Sequence, residues 1–347
     1  MPPSFVDIVG FQLEKVHSGV LAWLLHSARS PLEPQGRVEL LGRLCGIALK
    51  VDEVREVRTT REYSFGRGKR IDLVAEIDLT DGAKMAVVME LKTDSPVDIK
   101  QLRTTRQEWE DKHGASVRTT YLVLALGASE PTLAQHNTTI GTLGYRPLNI
   151  AATLAAVSGL QIAGAERAYY NDWISSLLAE QHRLDSIDEA LLGVSGPYDE
   201  ALAQIGYRIG FPVFYAYYGK LREVLNRSNH RDWLIASGQN NPVMTWPGGE
   251  LHGARSIIYL EFNGEAFCLK VEPKGVRDGE WEEYREELRQ VAAVASGNGR
   301  PTANRSGRYR TVYKWPFRFS KQKLADVAER TSFILDAVCP RLPKVVR

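Results

Sequence analysis

The stretch Arg70-Ile-Asp-Leu-Val-Ala-Glu-Ile-Asp78, followed by a polar turn and then Val87-Val-Met-Glu-Leu-Lys92, decides the fold of the N-terminal half. Both runs are rich in the apolar residues that favour β-strands. The Asp81-Gly82 pair between them is a strong signal for a tight turn. The stretch therefore predicts a β-hairpin.

Three of the charged side chains in these runs, Asp72, Glu90 and Lys92, are expected to lie close together. Asp72 opens the first strand, and Glu90 and Lys92 close the second, where their spacing places both on one face. Such charges are costly among buried residues unless they pair or bind a metal. Mg²⁺ prefers carboxylate oxygens, and the carbonyl of Leu91 is a candidate third ligand. A lysine beside metal-bound water favours hydroxide and offsets charge on a phosphate, which predicts phosphodiester hydrolysis.

Ile-Asp72 at the start of one strand and Glu90-Leu-Lys92 at the end of the next resemble the PD-(D/E)XK nuclease superfamily. The resemblance covers roughly residues 5 to 150. It implies an α/β fold with a restriction-endonuclease-like core, which is a mixed central sheet flanked by helices. It also implies Mg²⁺ as the cofactor, with Mn²⁺ as the alternative, held by Asp72 and Glu90, and Lys92 as the group that orients or activates water.

Two further residues extend the resemblance. Glu14 lies on the helix predicted over residues 5 to 27, where several branches of the superfamily place an acid that assists the metal. The alternative for Glu14 is a boundary residue whose carboxylate reaches solvent. Gln101 lies on the helix after Lys92, where many members carry a glutamine, but Thr105 stands where a tyrosine often follows.

The resemblance alone favours DNA over RNA as the partner and suggests phage defence or a mobile element as the setting. Two rival functions remain open. One is a non-catalytic nucleic-acid-binding or scaffold protein on the same fold, and the other is an enzyme that acts on small phosphorylated molecules. Fold-level analogy does not choose among them.

Another acid-x-lysine triplet, Glu272-Pro-Lys274, occurs later in the chain. It contains a proline and has no Ile-Asp strand ahead of it, so we interpret it as a strand end with solvated charges. His17 is interpreted as a hydrogen-bonded core residue, with a contact to phosphate as the alternative.

Composition sets the outer limits. The 347 residues, 44% of them hydrophobic, suit two domains or one elaborated domain. The net charge of +2 does not indicate a nucleic-acid partner, so a basic surface must be local. Three cysteines without metal-ligand spacing favour reduced thiols, and the absence of a signal peptide or a bilayer-length apolar run predicts a cytoplasmic protein without membrane contact.

The rest of the N-terminal half alternates between helix and strand patterns. Ser95 and Pro96 predict the start of a helix that runs to about Lys112 and carries Arg103 and Arg106, whose face either contacts phosphates or is merely solvated. The other predicted elements are helices over residues 37–48 and 151–190 and strands over 52–64, 119–126 and 145–150.

The break at Gly193-Val-Ser-Gly-Pro197 predicts a domain boundary. Residues 1–192 form the predicted nuclease domain with a helical extension. Residues 198–347 form the predicted α+β C-terminal domain, which binds substrate, a partner protein or a second protomer. Within it we expect an aromatic helical region over 199–226, a hairpin through Asn263-Gly264 and a charged helix from about Gly279 to Ala295.

The run from Arg308 to Phe319 is the most informative part of this C-terminal half. As a strand it places cations on one face and aromatic rings on the other. The cationic face either is solvated or binds nucleic-acid phosphates, helped by Arg300, Arg305, Lys321 and Lys323 nearby. The cations are Arg308, Arg310, Lys314 and Arg318, and the aromatic residues are Tyr309, Tyr313, Trp315, Phe317 and Phe319.

Overall fold

The chain forms two compact units, Met1–Asp185 and Ser186–Arg347. The computed structural model describes residues 5–66, 69–192, 211–237, 242–252, 256–295, 297–303 and 307–342. The predicted boundary at Gly193–Pro197 lies outside these residues, as does Tyr207 of the aromatic helical region.

The first unit is a mixed α/β structure. Its five described strands form one sheet in the order β1-β2-β3-β4-β5, in which β1, β2 and β3 are antiparallel neighbours and β4 and β5 run parallel to β3. The elements, through the helix that crosses into the second unit, are α1 Phe5–Val9, α2 Glu14–Leu25, α3 Pro34–Cys45, β1 Val54–Gly66, β2 Lys69–Leu79, β3 Lys84–Lys92, α4 Ile99–His113, β4 Arg118–Ala125, α5 Glu130–Gln135, α6 Asn137–Thr142, β5 Tyr145–Leu148, α7 Ile150–Val157 and α8 Glu166–Leu192.

The predicted hairpin between β2 and β3 is confirmed. The two strands pair in antiparallel register, and Gly82 in the connecting turn has a φ of +87°, a conformation that glycine adopts without steric cost. Alternate residues of each strand point to opposite faces. Leu73 and Met89 join the core beneath α2 and α3, whereas Val74 and Val88 join the core beneath α4. Helices therefore cover both faces of the sheet.

The prediction of one helix over residues 5 to 27 was wrong. The chain forms α1 and α2, separated at Gly10, whose φ of +116° lies outside the helical region. Phe11 turns into the core, and the carbonyl of Phe11 is 2.7 Å from Nε2 of His17. The indole Nε1 of Trp173 donates to Nδ1 of the same ring at 3.1 Å. The interpretation of His17 as a hydrogen-bonded core residue is confirmed.

Two other helix boundaries also differ from the prediction. Asp98, rather than Ser95, caps α4, because its carboxylate accepts hydrogen bonds from the backbone N–H groups of Lys100 and Gln101. The helix predicted over 151–190 is split into α7 and α8, and Gly159 and Gly164 in the connection both have positive φ. Their backbone conformation ends the first helix and leads into the second.

The second unit contains an antiparallel sheet. Its six described strands have the order β10-β11-β9-β8-β7-β6. The predicted hairpin through Asn263-Gly264 is confirmed as the β8–β9 connection. The elements of this unit are α9 Phe211–Leu225, β6 Leu234–Ser237, β7 Pro242–His252, β8 Ile257–Asn263, β9 Ala266–Glu272, α10 Asp278–Ala293, β10 Arg300–Pro301, β11 Arg310–Pro316 and α11 Leu324–Val338.

Within the described ranges, no helix is both long enough and apolar enough to cross a membrane.

Candidate active site

The candidate site lies where β2 and β3 stop pairing. Their described register runs from the hairpin turn up to Leu73 opposite Met89. One step beyond it, the N–H of Leu91 donates to Oδ2 of Asp72 at 2.8 Å. A side-chain carboxylate thus takes the place of a backbone carbonyl, and the two strands diverge at Asp72 while β3 stays paired with β4. This divergence leaves a polar gap between the two strands, which we call the notch; its charged residues are Asp72, Glu90 and Lys92.

Glu90 lies at the bottom of this notch and is fully buried. Both of its oxygens accept hydrogen bonds from α4, Oε2 from Nε2 of Gln101 at 3.0 Å and Oε1 from Oγ1 of Thr105 at 3.1 Å. Nζ of Lys92 is 3.8 Å from Oε2 of Glu90, and only 8% of the Lys92 side chain is exposed. The predicted shared face of Glu90 and Lys92 is therefore the face beneath α4.

A negative charge on Glu90 is unfavourable, because the side chain is buried and the Asp72 carboxylate is close to it. Burial and the Asp72 carboxylate raise the pKa of Glu90 to about 8, although the Lys92 ammonium and the Thr105 hydroxyl act in the opposite direction. Without a further cation, Glu90 holds its proton near neutral pH. A bound cation would displace that proton, because metal ligands must be deprotonated.

The donor chemistry of this pair fits a small divalent cation. Mg²⁺ is commonly held by one or two carboxylates and otherwise by water, and Asp72 and Glu90 provide two carboxylates from adjacent strands. The backbone at Leu91 already contacts Asp72. Among the residues that the structure describes, no group of three or more His, Cys, Asp or Glu side chains is arranged to hold a metal. Any such ion would depend on the pair, a carbonyl and water.

Glu14 reaches the segment that follows β3. Its Oε1 accepts hydrogen bonds from the N–H of Thr93 at 3.3 Å and from Oγ of Ser95 at 2.7 Å. Ser95, which the sequence suggested as a helix cap, is thus used to hold Glu14. The contact fixes the start of α2 against the chain just after Lys92.

A cleft of about 420 Å³ lies beside the notch. Gln101 and Thr105, the two donors to Glu90, line it together with Phe65, Arg70 and Lys100. The cleft therefore combines an aromatic ring and two cations with two carboxylates, Asp98 and Glu108, beside the donors to Glu90.

The basic residues predicted on α4 differ in their surroundings. Arg103 is exposed. Arg106 pairs with Glu110 at 2.6 Å, donates to the carbonyl of Leu143, and lies over the ring of Tyr121. Arg106 thus holds α4 against neighbouring elements, whereas Arg103 is the side chain with access to solvent.

The basic strand of the second unit is shorter than predicted. β11 begins at Arg310, and its pairing with β9 is irregular between Thr311 and Tyr313. Tyr309 is therefore 51% exposed rather than part of the aromatic core face. The other predicted aromatic residues, Tyr313, Trp315, Phe317 and Phe319, are buried as expected.

The four cations that were predicted on this strand also differ in their surroundings. Arg308 pairs with Glu272 at 2.7 Å. Arg310 lies over the ring of Trp281 at 4.7 Å and donates to the carbonyl of Gly307. Lys314 is half-buried opposite Arg300 of β10, and Arg318 is exposed.

Thr105 is the site residue that the sequence reasoning missed. It was noted only because it stands where a tyrosine often occurs in the resembled family, yet its hydroxyl contacts Glu90 directly. A signal existed in the sequence. Gln101 and Thr105 are four residues apart on α4, which places both side chains on the same helical face.

Comparison of the chain with models of known protein families, with curated proteins and with solved structures yields no match at the significance threshold. The residues of the site are therefore the evidence for function.

Proposed function

We propose that this protein is a Mg²⁺-dependent nuclease of the PD-(D/E)XK type that hydrolyses phosphodiester bonds, with DNA as the favoured substrate. The observation that carries the proposal is the placement of Glu90. Its buried carboxyl lies within the electrostatic influence of both Asp72 and Lys92 at the point where β2 and β3 diverge. The five-stranded mixed sheet with helices on both faces supports a restriction-endonuclease-like core.

Each residue of the notch has a role that follows from its contacts. Asp72 and Glu90 are the metal ligands, and Gln101 and Thr105 orient the Glu90 carboxylate through their two hydrogen bonds. Lys92, held 3.8 Å from Glu90, keeps a positive charge beside the attacked phosphate and a water molecule. A bound Mg²⁺ would supply Lewis acidity to a phosphate oxygen and to water. Glu14 positions the segment after Lys92.

The neighbouring cleft supports a nucleic-acid substrate. Lys100 and Arg70 offer charge to phosphates, although Arg70 also pairs with Glu62 and the carboxylates Asp98 and Glu108 line the same cleft. Phe65 offers a ring on which a base can stack. A role in phage defence or in a mobile element is the biological setting that we propose for such a nuclease. The alternative function, nucleic-acid binding without cleavage, would retain the cleft but would not need the three charges of the notch.

The test compares two matched lysine variants. Lys92→Met removes the charge beside Glu90. Lys274→Met removes the charge from the triplet Glu272-Pro-Lys274, where Nζ is 3.7 Å from Glu272 and the side chain is 56% exposed. Each protein is incubated with supercoiled plasmid, linear double-stranded DNA, single-stranded DNA and RNA, in Mg²⁺, Mn²⁺ or EDTA. Cleavage is followed on gels.

We expect metal-dependent cleavage by the wild-type protein and by Lys274→Met, and a loss of at least about a hundredfold in Lys92→Met. Equal cleavage by all three proteins would refute the assignment of Lys92. Binding of nucleic acid without cleavage in any metal would favour the non-catalytic alternative.

A further inference from the structure

A strongly basic cleft of about 570 Å³ lies in the second unit, at the end of β11. It is bounded by β10, the single helical turn Phe319–Lys321 and α11. Its lining contains four cationic side chains and, among the described residues, no carboxylate. The four cations are Arg300, Arg318, Lys321 and Arg330.

Arg330 is the fixed member of this group. Its Nη1 donates to the carbonyl of Pro316 at 3.2 Å, its Nη2 donates to Oδ1 of Asn298, and its guanidinium lies 4.5 Å from the centre of the Phe317 ring. Because its charge is partly removed from water, the pKa of Arg330 is lowered by burial. A guanidinium has five N–H donors, so these contacts leave others for a ligand.

The charge of the cleft is not neutralised by the described part of the unit. No carboxylate in the described ranges forms an ion pair with Arg300, Arg318, Lys321 or Arg330. Arg308 differs, since it pairs with Glu272, and Arg310 lies over Trp281. The free positive charge of the basic strand is therefore concentrated at its cleft end, rather than spread along one face of β11.

The size of the cleft indicates the kind of anion. A volume of about 570 Å³ is far larger than a single phosphate, and four separate cations match several anionic groups along a chain better than one. Lys321 and Arg318 are exposed, as a surface that follows a polymer requires. Polymer binding of this kind releases counterions and is strongly salt-dependent.

We propose that this cleft binds consecutive phosphates of a nucleic-acid strand, with Arg330 as a fixed phosphate contact and Arg318, Lys321 and Arg300 around it. The proposal rests on the proposed nuclease function for the identity of the polymer. It adds Arg330 to the predicted contacts and withdraws Arg308 and Arg310 from them.

The experiment measures binding without cleavage. Fluorescently labelled single-stranded DNA, double-stranded DNA and RNA are titrated with full-length protein in EDTA, from about 50 to 200 mM salt, and anisotropy gives Kd. The test variant is Arg318→Glu combined with Lys321→Glu, because both side chains are exposed and their replacement leaves the contacts of Arg330 in place. The matched controls are the wild type and Lys274→Glu, an exposed lysine that follows the end of β9 remote from the cleft and does not line it.

We expect the double variant to bind its preferred nucleic acid at least about tenfold more weakly at 100 mM salt, with the slope of log Kd against log salt reduced by about two. Lys274→Glu should stay within about threefold of the wild type. Unchanged affinity of the double variant, an equal loss in Lys274→Glu, or no binding by the wild type would each overturn the proposal.

The result separates this site from the proposed chemistry. If the double variant loses binding but the wild type cleaves nothing in any metal, the cleft proposal stands and the nuclease proposal fails. If the wild type cleaves and the double variant binds normally, the nuclease proposal stands and the cleft proposal fails.

Discussion

The chain contains two acid-x-lysine triplets at the ends of strands, and their environments are opposite. Glu90-Leu-Lys92 ends β3, and its glutamate is fully buried beneath α4. Glu272-Pro-Lys274 begins at the last residue of β9, and its lysine side chain is 56% exposed. The neighbouring strand β2 supplies Asp72 to the first triplet, and the segment just before β11 supplies Arg308 to the second.

The two glutamates consequently have opposite pKa shifts. Burial and Asp72 raise the pKa of Glu90 to about 8, whereas a hydrogen bond from Arg308 lowers the pKa of Glu272. The first carboxyl lacks a positive partner sufficient for its charge, and the second already has one. The triplet alone therefore does not decide whether its carboxyl lacks a cationic partner, because that depends on the side chain that the neighbouring segment contributes.

The largest expected difference between the triplets is in catalysis. Glu90→Gln keeps the shape of the side chain but removes the ligand charge, so we expect the rate of plasmid cleavage in Mg²⁺ to fall at least about a thousandfold. Glu272→Gln should change that rate by less than about twofold. Similar losses in both variants would show that the two triplets do not differ in function.

The second difference is in the pH dependence of stability. Because the folded pKa of Glu90 is about 8 and its ordinary value is 4.5, the folded state binds this proton more tightly than the unfolded state. The stabilisation from Glu90 is fully present below pH 4.5 and is lost as the pH rises toward 8, with a slope of up to about 1.4 kcal/mol per pH unit.

Urea denaturation in EDTA between pH 5 and 8 checks this expectation. The free energy of unfolding of the wild type should fall relative to that of Glu90→Gln, which does not titrate at this position. A constant difference between the two proteins across this range would contradict the raised pKa. Asp72→Asn should move the upper end of this fall to a lower pH, because it removes the second cause of the raised pKa.

A smaller effect is expected from the donor that orients Glu90. Thr105→Val removes the hydroxyl bond to Oε1, while Gln101 continues to bond Oε2. We expect a rate about tenfold lower and a loss of about 1 to 2 kcal/mol in the free energy of unfolding. Thr104→Val is the control, since Thr104 immediately precedes Thr105 on α4 and lines the same cleft. Equal effects of the two substitutions would argue against a specific role for Thr105.

The smallest effect is expected from Glu14. Glu14→Gln retains an acceptor oxygen for Thr93 and Ser95 but removes a charge near the notch. We expect the Mg²⁺ concentration for half-maximal cleavage to rise about threefold, with the melting temperature nearly unchanged. A loss as large as that of Glu90→Gln would instead make Glu14 a direct metal ligand.

Much of the sheet could be predicted because its signals are local. The Asp81-Gly82 turn and the alternation of side chains in β2 and β3 fix the hairpin and place Glu90 and Lys92 on one face. The break at Gly10 was missed because the apolar spacing continues through it, and only the backbone conformation of the glycine ends the helix. Ser95 was mistaken for a cap because its true partner, Glu14, is 81 residues away.

The electrostatics of the second unit could not be predicted for the same reason. The alternation in residues 308–319 identifies the cations correctly, but it does not show that Arg308 pairs with Glu272 on another strand. Nor does it show that Arg330, which comes from α11, lies at the end of β11. Both facts depend on contacts between segments that are distant in sequence.

The hydrogen bond from the Leu91 N–H to Asp72 has a consequence for amide hydrogen exchange. Protection of the neighbouring sheet amides depends on backbone pairing, but protection of this one depends on a side-chain carboxylate. The exchange rate of a single amide thus reports on a single side chain. An ion that draws Asp72 away would expose Leu91 to exchange, and one that fixes Asp72 in place would slow that exchange, without any need to observe cleavage.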